Sequence, residues 1–215
     1  MSFYEQLISK TATEKEQLFS TPIIQRALIG NVGLLEYQTF LAQAYHHVKH
    51  TVPLLMACGS RLPDRLGWLR EAVAEYIEEE LGHEQWILED IAATGGDPDL
   101  VLRQGPMPAT ELMVAYAYHT IDRGNPAGFF GMVHVLEGTS VSLAQHAADT
   151  IQTSLGLPDS AFHYLTSHGS IDQEHIVFLS GLMNRIAIPE DQAAVVHTAN
   201  MMYRLYGDIF RAIAI

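Results

Sequence analysis

Apolar residues recur at spacings of three and four along nearly the whole chain, and few windows alternate strictly between apolar and polar, so the chain reads as helical throughout. Glycine and proline cut this pattern into segments. A helix is expected over 2–19 and a short one after Pro22. Past Gly30-Asn31-Val32-Gly33 comes a long helix over 34–61, which Pro53 should kink. The next, over 63–94, closes at Gly95-Gly96-Asp97-Pro98, where glycines followed by proline stop a helix. Arg123-Gly124-Asn125-Pro126 and Gly156-Leu157-Pro158 then separate helices over 110–122, 127–155 and 161–186, and Pro189 opens a last helix that runs to the C-terminus. The expected product is an all-α bundle of about seven helices. At 215 residues, with no repeat and no low-complexity tract, the chain fits a single domain over 1–215.

The formal charge of −13, from 25 acidic against 12 basic residues, argues against a nucleic-acid or anionic-membrane surface. No stretch approaches the roughly 18 apolar residues of a membrane span. Met1-Ser2-Phe3-Tyr4-Glu5 is not the start of a basic segment followed by an apolar run, so the cytoplasm is the expected compartment. Cys58 is the sole cysteine, which excludes an intrachain disulfide and a cysteine metal site. Any metal must be held by histidine and carboxylate.

Over 161–186, His168, Asp172 and His175 are spaced i, i+4, i+7, so on a helix they share one face, within roughly 60° of one another. That face is the apolar one, made by Ala161, Tyr164, Leu165, Ile171, Ile176, Leu179, Leu182 and Met183. Burying three ionisable groups there is costly unless they are paired, hydrogen-bonded or bound to a metal. An Asp bridging two histidines, with the other histidines satisfied by backbone carbonyls, is the metal-free reading. Glu137 sits at the centre of another apolar face, made by Phe130, Val133, Val141, Ala144, Ala148 and Ile151. Glu80 is centred among Val73, Tyr76, Ile77, Ile87 and Ile91, and His83, three residues on, borders the same stripe. Three carboxylates and three imidazoles thus face inward from three helices, the way bundles build dinuclear carboxylate sites. Such a donor set suits iron first and manganese second. Glu137, midway between the other ligand helices in chain order, is the expected bridge and catalytic residue.

Neighbouring residues compete for these roles. Glu75 and Glu78 point away from the stripe, and Glu79 lies at its edge. Glu84 projects near the centre, as a hydrogen-bond partner of the ligands or as a replacement for Glu80. His46, His47 and His50 fall on the face opposite Leu34, Leu41, Tyr45, Val48 and Val52, which predicts surface or subunit contact. His134, one turn before Glu137, is expected in the core beside the site.

The ordered combination Glu80-x2-His83, Glu137 within His134-Val135-Leu136-Glu137-Gly138, and His168-x3-Asp172-x2-His175 resembles the heme-oxygenase-like diiron oxidases and oxygenases, also described as iron-containing redox enzymes or TenA-like proteins. Some members carry the first glutamate seven residues before the histidine, a position held here by Tyr76. The likeness is therefore to the branch with the closer glutamate, such as the fatty acid decarboxylase that makes terminal alkenes. The resemblance implies a bundle of about seven helices and a homodimer. It also implies two ferrous ions that react with dioxygen to oxidise a small-molecule substrate, whether a carboxylic acid, an amino acid or an amine. Apolar residues near Glu137, including Phe129, Phe130 and Val133, suggest an organic lining for its pocket.

Rival readings stay within the same fold. A thiaminase-like hydrolase would need a cysteine nucleophile on the helix that carries Glu137, but Cys58 lies elsewhere. The cofactor-free quinone synthases would not need so full a metal set, and heme oxygenase needs an axial histidine on the first helix, which has none over 2–19. A non-catalytic metal-binding or regulatory protein is the remaining alternative.

Overall fold

The computed structural model describes residues 1–213, except for the side chains of 168–174. Among the described residues all regular structure is helical: α1 (Phe3–Phe19), α2 (Pro22–Ala27), α3 (Leu34–Val48), α4 (Thr51–Arg61), α5 (Gly67–Glu80), α6 (His83–Ala93), α7 (Pro98–Arg103), α8 (Pro108–Arg123), α9 (Phe129–Leu155), α10 (His163–Arg185) and α11 (Pro189–Ile213), with single 3-10 turns between some of them. No helix of the described residues is long and apolar enough to cross a membrane.

Local chemistry explains most boundaries. Ser2 and Glu5 form a reciprocal cap on α1, with Glu5 N donating to Ser2 Oγ and Ser2 N donating to Glu5 Oε2 at 2.8 Å. Prolines begin α2, α7, α8 and α11, where a missing N–H costs nothing. α9 ends at Gly156, whose φ of +64° suits glycine.

Two expected helices are each divided. Pro53 does more than kink the segment over 34–61. Its ring and missing N–H oppose a helical carbonyl four residues earlier, and the chain turns at Lys49 and His50 before restarting as α4. The segment over 63–94 breaks at Leu81 and Gly82, where Leu81 is extended and Gly82 takes φ +90°. A glycine inside a helical pattern does not announce this, because glycine is tolerated in helices at modest cost.

α9 is the central helix, packed against α10 on one side and α11 on another. Gly131 lets α9 and α11 approach closely, since a Cβ there would lie 2.4 Å from the Val195 carbonyl oxygen. One hydrophobic cluster joins α1, α4, α5, α8, α9, α10 and α11, and a second lies between α3, α6, α9 and the start of α10. Asp90, fully buried on α6, accepts hydrogen bonds from the backbone N–H groups of His163 (3.0 Å) and Tyr164 (2.9 Å) and so caps α10 from a neighbouring helix. Burial raises the Asp90 carboxyl to about 6, against the pull of those two hydrogen bonds.

His46 and His47 are buried, at 3% and 4% exposure, which overturns the expected surface role. α3 packs against α6, α8 and α11, and this packing covers both imidazoles. His46 stands edge-on to Tyr45, His47 edge-on to Tyr206, and the half-buried His50 lies 3.2 Å from the Tyr118 hydroxyl. Val141, by contrast, is exposed, although the helical pattern set it on the buried face. His134 is in the core as expected, edge-on to the rings of Tyr4 and Tyr203.

Gly82→Ala should cost about 1–2 kcal/mol in denaturant unfolding, because nothing crowds the added methyl and only the left-handed backbone opposes it. Gly181→Ala, in an open and helical position of α10, should be neutral or stabilising by up to about 1 kcal/mol. Equal effects at the two sites would remove the left-handed turn as the cause of the break. A second expectation concerns acid. Burial, with a smaller contribution from Lys15, holds His134 down to about 4 from its ordinary 6.5. The unfolded chain therefore takes up a proton that the folded chain refuses, and stability is lost as pH falls from about 6.5 towards 4. His134→Leu should shrink the loss measured between pH 7 and pH 5 by about 2 kcal/mol.

Candidate metal centre

The break at Gly82 turns the end of α5 and the start of α6 towards each other. Glu80 Oε2 meets His83 Nδ1 at 3.0 Å, with both side chains nearly buried. The pair therefore forms across a turn, not along a continuous helix as its spacing suggested. The His83 ring stacks on Trp86 at 4.1 Å between centroids, and Trp86 stacks on His163 at 4.7 Å, which holds the imidazole plane against α10.

His175, 5% exposed on α10, faces two carboxylates. Its Nε2 lies 2.9 Å from Glu79 Oε2, and its Nδ1 lies 3.5 Å from Glu137 Oε1. Glu137 is buried on α9, as its lone place on an apolar face predicted. Glu79 had only an edge position in the helical pattern. The structure brings it to His175 while its side chain remains 42% exposed. The signal that could have singled it out is its place in the last turn of α5, where a helix about to break swings its final residues onto a new face. Glu84 lies beyond the break and acts electrostatically on Tyr45, away from this cluster. His168 and Asp172 lie outside the described residues.

Tyr76 ties the two groups together. It is 2% exposed, stands one turn before Glu79 and Glu80, and meets the His175 ring edge-on at 5.6 Å. Burial first, then Glu137, Glu79 and Glu80, push its phenol far above the usual range. Its hydroxyl is aimed at the Glu137 carboxylate, in a hydrogen bond looser than ordinary length and angle. The ion pairs described for Glu79, Glu80 and Glu137 all go to imidazoles.

Among the described residues, no three His, Cys, Asp or Glu side chains gather into a group that could hold a metal ion. The two carboxylates at His175 lie against opposite edges of its ring, so the convergence there is pairwise. The donors nonetheless fit iron. They are oxygen and imidazole groups without thiolate, set in an apolar wall, with the Tyr76 phenol beside them.

Tyr76, Glu80 and Glu137 form part of the wall of a cavity of about 190 Å³. Most of the remaining wall is apolar, including Ile24, Leu55, Phe129, Met132, Leu143 and Phe210. His47 and Thr139 add polar points, and the buried Thr139 hydroxyl has no partner among the described residues. Phe129 and Val133 line the cavity as the sequence suggested, whereas Phe130 is fully buried behind it. Cys58 is fully buried on α4 and is not part of that wall. Its thiol, pushed up to about 12 by burial, is no nucleophile.

A profile of the iron-containing redox enzymes matches residues 38–207. No curated protein matches the chain at a significant level. Among solved structures, a domain of unknown function with a heme oxygenase-like fold from Shewanella denitrificans OS217 is 26% identical, with a TM-score of 0.89 over 98% of this chain and 91% of that one. A TenA homologue from Pseudomonas syringae pv. tomato DC3000 is 12% identical, with a TM-score of 0.84 over 98% and 92%. Heme oxygenase-1 from Synechocystis sp. PCC6803, solved in complex with heme, is 13% identical, with a TM-score of 0.78 over 100% and 93%. The all-helical fold is thus heme oxygenase-like, and by the match over residues 38–207 the chain belongs to the family of iron-containing redox enzymes.

Proposed function

We propose that this protein is a non-heme diiron oxidase that activates dioxygen to oxidise a small organic substrate held in the cavity, a carboxylic acid, an amino acid or an amine. The carrying observation is that Glu80 and Glu137, on the wall of an otherwise apolar cavity, are each paired with an imidazole, His83 at the start of α6 and His175 on α10. Glu80 and His83 would hold one ion, and Glu137 with His175 the other, joined by His168 and Asp172. Glu79 is an additional oxygen donor. Iron, when bound, supplies the one-electron steps that dioxygen needs, and manganese is the second choice. Glu137 is the bridging candidate because its helix packs against α10 while its carboxylate also faces Tyr76 on α5.

The protein's own contribution is to position and to exclude water. Phe129, Met132 and Leu143 would seat the apolar part of the substrate, while Thr139 Oγ and His47 offer it hydrogen bonds. α1 carries no histidine, so a heme held as an axial-histidine complex on that helix is disfavoured. A reading without a diiron centre draws on His175, whose two nitrogens already face carboxylates.

Metal analysis separates the two readings. Anaerobic reconstitution should load about two ferrous ions per chain, since six inward ligands exceed the needs of one ion with open positions. Saturation at one ion would exclude the dinuclear centre, and failure to bind would favour the metal-free reading. Glu137→Ala should abolish oxygen uptake by the ferrous protein, whereas His47→Ala and His50→Ala should leave iron loading intact.

A further inference from the structure

We propose that Trp86 relays electrons from the protein surface to the iron centre, receiving them by way of His163 and passing them on through the candidate ligand His83, an inference that rests on the diiron reading above. The three rings form a continuous stack. The His83 ring lies 4.1 Å from that of Trp86 between centroids, and Trp86 lies 4.7 Å from His163, with 26° between the planes at both contacts. His83 is buried, Trp86 half-buried and His163 exposed, so the stack runs from the candidate centre to solvent. Tyr76, by contrast, meets the His175 ring edge-on at 73° and is itself 2% exposed, so that contact leads into the core.

The proposed chemistry creates the need for such a route. Reduction of dioxygen to water takes four electrons, and a substrate that gives up two leaves two to be supplied from outside. Electron tunnelling weakens steeply with every gap, and overlapping π faces keep the gaps small where an aliphatic wall would not. The stack is also held in place. His83 and Trp86 share a face of α6, and His163 is the first residue of α10, whose start the buried Asp90 of α6 fastens by its backbone N–H groups. At its outer end His163 lines a surface hollow together with Glu89, Asp159 and Thr166. Glu89 and Asp159 are exposed there, and the whole chain carries a formal charge of −13, so the donor that fits is a one-electron carrier with a cationic face. Each transfer oxidises that donor by one electron and reduces one ferric ion to ferrous, with no bond made or broken and no proton taken up by the three rings.

Ferric-loaded protein mixed without oxygen with hexaammineruthenium(II), a cationic one-electron reductant, should lose its ferric absorption at a rate that falls as salt is added. At unchanged iron content, Trp86→Leu should slow that reduction at least about tenfold and His163→Ala several-fold. Trp68→Phe, about 18 Å before Glu80 along α5, should leave the rate unchanged. His163→Ala does not touch the contact between Trp86 and His83, so it decides the matter if Trp86→Leu loses iron. Fluorescence gives a readout independent of reduction. In Trp68→Phe protein Trp86 is the sole tryptophan, and its emission should be quenched by ferric loading but kept with gallium(III), which has no lower oxidation state within reach. A wild-type rate in His163→Ala, or unquenched Trp86 emission at full iron content, would overturn the relay while leaving the diiron reading intact. A wild type that binds no iron would overturn both, and the metal content tells these outcomes apart.

Discussion

Taking a carboxylate out of water costs several kcal/mol unless a partner charge or well-placed donors replace the lost solvation. The interior of this bundle does so at Glu80 and Glu137, with imidazoles instead of arginine or lysine. Imidazole can serve as a proton-dependent cation or as a metal ligand, whereas a guanidinium can only neutralise. Elsewhere the same chain uses arginine freely. Arg65 pairs with the fully buried Asp191, and Arg26 pairs with Glu36. The choice of histidine is therefore local to the centre, and it keeps the carboxylate oxygens available to an ion.

The architecture serves that convergence. Asp90 fastens the start of α10 to α6, the helix that begins with His83, and α10 runs on along α9 to bring His175 to Glu137. The left-handed turn at Gly82 ends α5 at Glu80, so its last carboxylates and the first imidazole of α6 approach across a gap that a straight helix would fill. A break in an otherwise regular helix costs hydrogen bonds, and here it sits at the candidate centre, where distortion re-aims side chains.

Heme oxygenase, TenA-like proteins and the iron-containing redox enzymes share this bundle, and the fold alone does not choose among their chemistries. The residue content of this chain's cavity wall bears on that choice. Carboxylates and a phenol occur on it, the only cysteine is buried away from it, and the first helix lacks histidine. These features favour oxidation at a metal over nucleophilic hydrolysis or heme binding.

Helical periodicity, proline starts and glycine stops were enough to read the all-α class and most element boundaries, because each is a local property of a few adjacent residues. Glu137 and His175 were legible for a related reason, since an ionisable group on an apolar face advertises its burial. The division at Leu81 and Gly82 was not, because a left-handed glycine looks like a tolerated helical one until packing demands the turn. The burial of His46 and His47 depended on α3 being enclosed by α6, α8 and α11, and the meeting of Glu79 with His175 depended on how α5 and α10 lie side by side. The meeting of Tyr76 with Glu137 and the cavity beside them belong to the same class. Sequence spacing determines which face a residue occupies on its own helix; which helix that face meets is settled only when the helices pack.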